Sequence, residues 1–159
     1  MKKLFIMLGI LSIFLAFTAC NNDDDDAVVK LTDLPASVGQ FLNDHFPGTT
    51  DENSFMSRDD DSYDVVLNSG YKIEFSLDGT WESVDGKING TVKPMPESFL
   101  ELDPISIIRD YVKVNYAENL FIVEVDKEHD KQGNHTGYEI DLNDNSHDIK
   151  FDKNGNKIG

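Results

Sequence analysis

The residues best suited to chemistry in this 159-residue chain are one thiol, four imidazoles and an excess of carboxylates. Cys20 is the only cysteine, so no disulfide can close within the chain. As a nucleophile it would need an electropositive setting to lower its pKa, and Asp23, Asp24, Asp25 and Asp26 supply the opposite. No serine stands in a G-x-S-x-G elbow. With 30 acidic residues, carboxylate pairs arise by chance, so acid–base chemistry leaves no specific mark. No catalytic residue is assigned, and an enzyme is not expected.

Two stretches could hold a metal. His129 and His135 share one loop with Glu128 and Asp130, but without the H-E-x-x-H spacing of a helical zinc site. Residues 141–152, DLNDNSHDIKFD, place oxygens at positions 1, 3, 5 and 12 of an EF-hand-like ring. Ser146 stands where that ring needs glycine, and Asp152 where it needs glutamate. The same stretch alternates as a hairpin with Leu142, Ile149 and Phe151 inward, which is the favoured pattern. No metal and no cofactor are expected. Among the aromatics, Tyr63, Tyr71, Phe75 and Tyr138 have the parity of core residues, whereas Trp81 begins a strand beside the turn at Asp78 and Gly79. Tryptophan is enriched at binding hot spots, so Trp81, with His129 and His135, is a candidate partner-binding residue.

The position of Cys20 has a simpler explanation. Lys2 and Lys3, the apolar run at residues 4–17 and the small Thr18 and Ala19 have the layout of a secretory signal over residues 1–19. The run is short for a membrane span, which needs about 20 apolar residues. FTAC at residues 17–20 resembles the bacterial lipobox, with Phe17 where leucine is preferred. That resemblance implies an acylated Cys20 as the mature N-terminus. Each buried methylene of an acyl chain contributes about 0.8 kcal/mol, so several chains would anchor the protein to a lipid membrane. Residues 20–30 then form a solvated acidic tether, at most ~35 Å long for the ten residues beyond Cys20. Asn22 with Asp23 to Asp26 resembles the export tag that sends lipoproteins of Bacteroides-type bacteria to the cell surface. The expected address is the outer membrane, lipid-anchored and surface-displayed.

The net charge is −16 at neutral pH. Binding to nucleic-acid phosphate is excluded as a function class, since it needs lysine and arginine to replace counterions. Docking on anionic lipid headgroups is excluded for the same reason. A basic protein or peptide suits the charge.

The elements that must position these residues repeat. YDVVL at residues 63–67 is echoed by YEIDL at 138–142, KIEF at 72–75 by DIKF at 148–151, and each phenylalanine is followed four residues later by glycine. Period-two alternation separated by Asn, Ser and Gly turns predicts hairpins with one buried face. Leu34, Val38, Phe41, Leu42 and His45 mark a helix before the first hairpin. Ile105, Ile108, Tyr111, Val112 and Tyr116 mark one before the second, with Asp103 as its expected N-cap. The predicted fold is α+β, a tandem repeat of a helix followed by an antiparallel β-meander, with the helices on one face of the sheet. Residues 31–88 form the first unit, 89–101 a Pro-stiffened linker and 102–159 the second.

The stretches LPASVGQFLNDHFPG, YDVVLNSGYKIEFSLDGTW and YEIDL…DIKFDKNG, across about residues 31–159, resemble the PepSY-like lipoproteins of Bacteroides-type bacteria, a family related in shape to the secreted β-lactamase-inhibitor protein. Ala117 departs from the pattern where the first copy has Pro47, and residues 129–137 lengthen the second strand connection. The resemblance implies a small non-enzymatic envelope domain that binds or inhibits another protein, and no catalytic residues. The expected function is binding, with possible inhibition, of a protein or peptide. The alternative is an accessory surface lipoprotein that holds a glycan, a small ligand or calcium.

Overall fold

The computed structural model describes residues 27–88, 90–144 and 148–158. Cys20, Asn22 and Asp23 to Asp26 lie outside them. Nine strands form one antiparallel sheet: β1 (Ala27–Val28), β2 (Ser54–Arg58), β3 (Ser62–Leu67), β4 (Tyr71–Ser76), β5 (Trp81–Asp85), β6 (Ile122–His129), β7 (His135–Leu142), β8 (Asp148–Asp152) and β9 (Lys157–Ile158). Their spatial order is their chain order. Among the described residues three α-helices accompany them, α1 (Ala36–His45), α2 (Glu97–Leu100) and α3 (Ile105–Asn115), with one 3-10 turn at Leu31–Asp33.

Alternation builds the strands. In β3, Tyr63, Val65 and Leu67 are buried while Asp64 and Val66 are not. In β4, Ile73 and Phe75 are fully buried between the half-buried Lys72, Glu74 and Ser76. The register pairs Tyr63 with Phe75 and Val65 with Ile73, so apolar side chains meet on one face. The turn between these strands ends at Gly70, whose φ of 96° is a conformation that glycine adopts without a Cβ clash. The second hairpin follows the same logic, with Tyr138 opposite Phe151 and Ile140 opposite Ile149.

The helices close the inward face. Val38 and Leu42 of α1, Phe99 and Leu100 of α2, and Ile105, Ile108 and Val112 of α3 join the inward strand residues in one core. Burying such a side chain contributes roughly 1.5–3 kcal/mol. α1 stops where the Phe46 N–H bonds the Leu42 carbonyl, because Pro47 has no N–H to continue the ladder. At α3 the cap position is Pro104, with no side-chain cap; Asp103 instead accepts the Ser106 hydroxyl at 3.1 Å.

The predicted fold class is corrected by the sheet. The described residues form not a tandem helix-plus-meander repeat but a mostly β fold, one continuous nine-stranded antiparallel sheet with three short α-helices. The overturning observation is the pairing of β5 with β6, Ser83 to Asp126, Val84 to Val125 and Asp85 to Glu124, which carries the ladder across what read as a boundary. Alternation reveals that a segment is a strand but not which strand it pairs with, and a strand edge pairs with any matching neighbour. Residues 89–101 carry α2 and bury Met95, Phe99 and Leu100 in the shared core. The Met95 N–H also bonds the Ile122 carbonyl of β6.

Candidate functional site

Among the described residues no helix covers the sheet's second face, and the register lines up its outward side chains. Asp64, Glu74, Ser83, Asp126, Glu139 and Lys150 stand side by side across β3 to β8. Next to them run Val66, Lys72, Asp85, Glu124, Asp141 and Asp148. Directly opposed residues lie about 5 Å apart, so like charges at Asp126 and Glu139, or Glu124 and Asp141, repel.

Three lysines answer part of this charge. Lys72 pairs with Asp64 at 2.9 Å, and Lys150 with Glu139 at 2.6 Å and Glu128 at 3.2 Å. The Lys87 ammonium bridges Glu124, at 2.9 Å, and Asp141. Burial opposes the charge on Lys87, but those two carboxylates hold its pKa above the ordinary lysine value. No ion pair among the described residues includes Asp126. Burial first, then Glu124, Asp141, Glu139 and Asp85, push its carboxyl up to about 7. Burial also raises Glu74 and Glu124. Beside these groups opens a cavity of about 510 Å³, lined by Asp61, Glu74, Glu82, Glu124, Asp126 and His129 among others. At the β1 edge the same face turns apolar, where Phe55 opposes Val66 and Val28 opposes Ser57. Phe55 and Val28 are exposed.

The sequence candidates Trp81, His129 and His135 converge at one end of β5, β6 and β7. Trp81 is half-buried, stacked between Phe41 and Tyr138 at 6.4 and 6.2 Å, with Phe99 edge-on at 5.2 Å. The Lys127 ammonium lies 4.4 Å from the indole centroid and donates to the Trp81 carbonyl at 2.5 Å. Burial lowers the Lys127 pKa. The indole is therefore packed at the margin of the core with a cation on its face, a strong arrangement for a partly desolvated pair. His129 and His135 are opposed across β6 and β7, with ring centroids 5.9 Å apart. His129 Nε2 lies 3.4 Å from Glu82 Oε2 without forming a hydrogen bond, and that oxygen is buried without a hydrogen-bond partner among the described residues. His135 Nε2 bonds the Gly137 carbonyl at 2.9 Å. Burial, with Lys127 and His129, keeps the His135 pKa low against that bond.

The long connection at 129–137 is partly strand, since β6 runs to His129 and β7 begins at His135. Only residues 130–134 turn, and there the Asp130 carboxylate accepts the N–H groups of Gln132 and Asn134, each at 2.9 Å. Among the described residues, no group of three or more His, Cys, Asp or Glu side chains is placed to hold a metal ion. In the EF-hand-like stretch, residues 145–147 lie outside the described residues, and Asp141 opposes Asp148 across the hairpin.

Glu82, Lys127 and the outward rows were not singled out from the sequence. Their outward parity was visible in each strand. The β5–β6 register that brings Asp85 to Glu124 and Ser83 to Asp126 was not.

The profile of the PepSY-like family, described as "putative beta-lactamase-inhibitor-like", matches residues 61–158. No curated protein matches the chain. Among solved structures, a Bacteroides vulgatus protein described as a "putative periplasmic protein" of the DUF2874 family shares 26% identity at a TM-score of 0.68, covering 87% of this chain and 98% of its own. A Bacteroides thetaiotaomicron protein described as a "putative calcium-regulated periplasmic protein" shares 28% identity at 0.64, covering 84% and 94%. A third, a B. vulgatus periplasmic protein of unknown function, is 24% identical at 0.64, covers 85% and 98%, and supports the fold alone.

Proposed function

From the premise that the chain belongs to the PepSY-like, beta-lactamase-inhibitor-like family, we propose that it is a non-enzymatic envelope protein that binds a basic protein or peptide on the open face of its sheet. The observation that carries this reading is the pair of cross-strand carboxylate rows, whose charge the three lysines only partly offset. A cationic partner brings the counter-charge that Asp126 lacks among the described ion pairs. Attraction of this kind speeds encounter and rejects acidic competitors. The exposed Phe55 and Val28 at the β1 edge add the apolar contact that binding surfaces need at their anchors. The family description favours inhibition as the consequence of binding.

The similar periplasmic proteins support an envelope address. We place the chain at the outer membrane, anchored through an acylated Cys20 and displayed at the surface behind its acidic tether. Protease treatment of intact cells tests this address: a chain that stays protected until the outer membrane is broken is not surface-displayed.

The binding reading is tested by capture from envelope extracts with wild type and with a variant carrying Asp85→Asn, Glu124→Gln, Asp126→Asn and Glu139→Gln. The expected result is one basic protein held by wild type, released by salt and lost by the variant. Equal capture by both would reject the face as the binding surface.

A further inference from the structure

On the open face Asp126 is placed differently from the carboxylates around it. Lys150 answers Glu139, Lys87 answers Glu124 and Asp141, and Lys72 answers Asp64. No ion pair among the described residues reaches Asp126. The register sets it opposite Glu139 on one side and Ser83 on the other. Lys127, the next residue in β6, directs its ammonium to the Trp81 carbonyl and indole. Glu74 stands beyond Ser83 in the same row. Burial first, then Asp64, raises its carboxyl against the pull of Lys72.

The row therefore has a gap. Ser83 is the short side chain between two that carry carboxyl groups. Neighbouring strands lie about 4.8 Å apart, so Glu74 and Asp126 flank a notch about 10 Å across. The cavity of about 510 Å³ opens over it, with Glu74, Ser76, Ser83 and Asp126 in its walls. In the free protein the charge at Asp126 is suppressed by a proton. Half-buried and facing Glu124, Asp141, Glu139 and Asp85, this carboxyl holds its proton up to about pH 7. A proton and a partner's cation answer the same group, and each displaces the other there.

Resting on the reading that the open face binds a basic partner, we propose that its docking is proton-dependent: a lysine or arginine of the partner enters the notch over Ser83 as the Asp126 carboxyl gives its proton to water, so the partner is held in neutral and alkaline surroundings and released in acidic ones. The carboxyl O–H bond breaks, and the partner's cation takes up the positive charge that the proton supplied. Lysine and arginine side chains stay charged throughout pH 6–8, so the change arises on this protein's side. Linkage fixes the direction: the partner favours the ionised carboxylate, and affinity falls as pH falls through about 7. The other charged groups lining the cavity are Asp61, Glu82, Glu124, Lys127 and His129. Imidazoles as a class gain charge in this range, and a charged His129 would repel the same partner, so the two groups have to be separated.

The test is calorimetric titration of the full chain with an octalysine peptide at pH 8, 7 and 6 and constant ionic strength. Binding should be roughly tenfold weaker at pH 6 than at pH 8, the response of one group that titrates near 7. At pH 7 about half a proton should be released per peptide, counted from buffers of different ionisation enthalpy. Asp126→Asn should bind equally at pH 8 and pH 6 and release no proton. His129→Gln should keep both the tenfold change and the release. Wild-type affinity that is level from pH 8 to pH 6, a pH response that survives in Asp126→Asn, or one that disappears in His129→Gln would overturn the proposal and leave the open-face reading standing. No binding at pH 8 would overturn both. The proton count on wild type decides without any variant: no proton released at pH 7 rejects the exchange.

Discussion

Glu74 and Phe75 are neighbours in β4, yet they occupy opposite media. Phe75 is fully buried against Tyr63 and Phe41, while Glu74 stands in a row of carboxylates that runs from Asp64 to Glu139. The same contrast separates two cavities among the described residues, one walled by neutral side chains beside α1 and one on the open face where five carboxylates stand with Lys127 and His129. The covered face is optimised for stability. The open face is not, since a sheet surface needs only scattered charges to stay soluble, whereas stacked like charges cost free energy. An arrangement that destabilises the free protein points to a use when something is bound.

The largest expected effect breaks the covered face. Phe75→Ala should remove about 3–5 kcal/mol, the usual loss for a buried phenylalanine, read as a lower denaturation midpoint with unchanged slope. Glu74→Gln one residue away should leave stability level or slightly higher. A large loss in Glu74→Gln would erase the distinction between the faces.

The next effect has the opposite sign. The Asp126 carboxyl is held at about 7, above its ordinary value of 3.8. The native state therefore binds more protons than the unfolded chain between these values. Stability is unaffected by Asp126 below pH ~4, falls as pH rises towards 7, and stays reduced above it. Asp126→Asn should then stabilise the protein at pH 8, by on the order of 2 kcal/mol, and change little at pH 4. Thermal melts at the two pH values check it, and a destabilised variant at pH 8 would contradict the unrelieved charge.

Lys87 sharpens the comparison further. Lys87→Ala should cost on the order of 1 kcal/mol, because Glu124 and Asp141 lose their shared cation. Most of that loss should vanish in a background carrying Glu124→Gln and Asp141→Asn, a double-mutant comparison of denaturation midpoints. Smallest is the salt response: raising ionic strength should stabilise wild type by a few tenths of a kcal/mol as repulsion is screened. The Asp85, Glu124, Asp126 and Glu139 variant should respond less.

Much of this contrast was legible in the chain. The alternation at 63–67, 72–75, 138–142 and 148–151 identified the inward residues of β3, β4, β7 and β8, and the stripes at Val38 and Leu42 or Ile105, Ile108 and Val112 identified the buried helix faces. Local periodicity reports a face but not a neighbour. The likeness of the two hairpins therefore suggested a tandem repeat of two units packed together, while the β5–β6 ladder that joins them into one sheet has a single buried residue in β5, Val84, and little pattern to betray it. The site was hidden for the same reason. Asp85 and Glu124 are nearly forty residues apart and become opposed only through that register. Trp81 drew notice by residue type, yet its place between Phe41 and Tyr138 beneath Lys127 depends on three separate elements.

The most direct measurement is carboxylate footprinting of the chain alone and in complex with its captured partner. Labelling of Asp85, Glu124, Asp126 and Glu139 should fall on binding, while Asp44 on α1 and Asp110 on α3 label as before. Protection confined to the helix side, with Asp126 and Glu139 still reactive in the complex, would contradict a partner seated on the open sheet face.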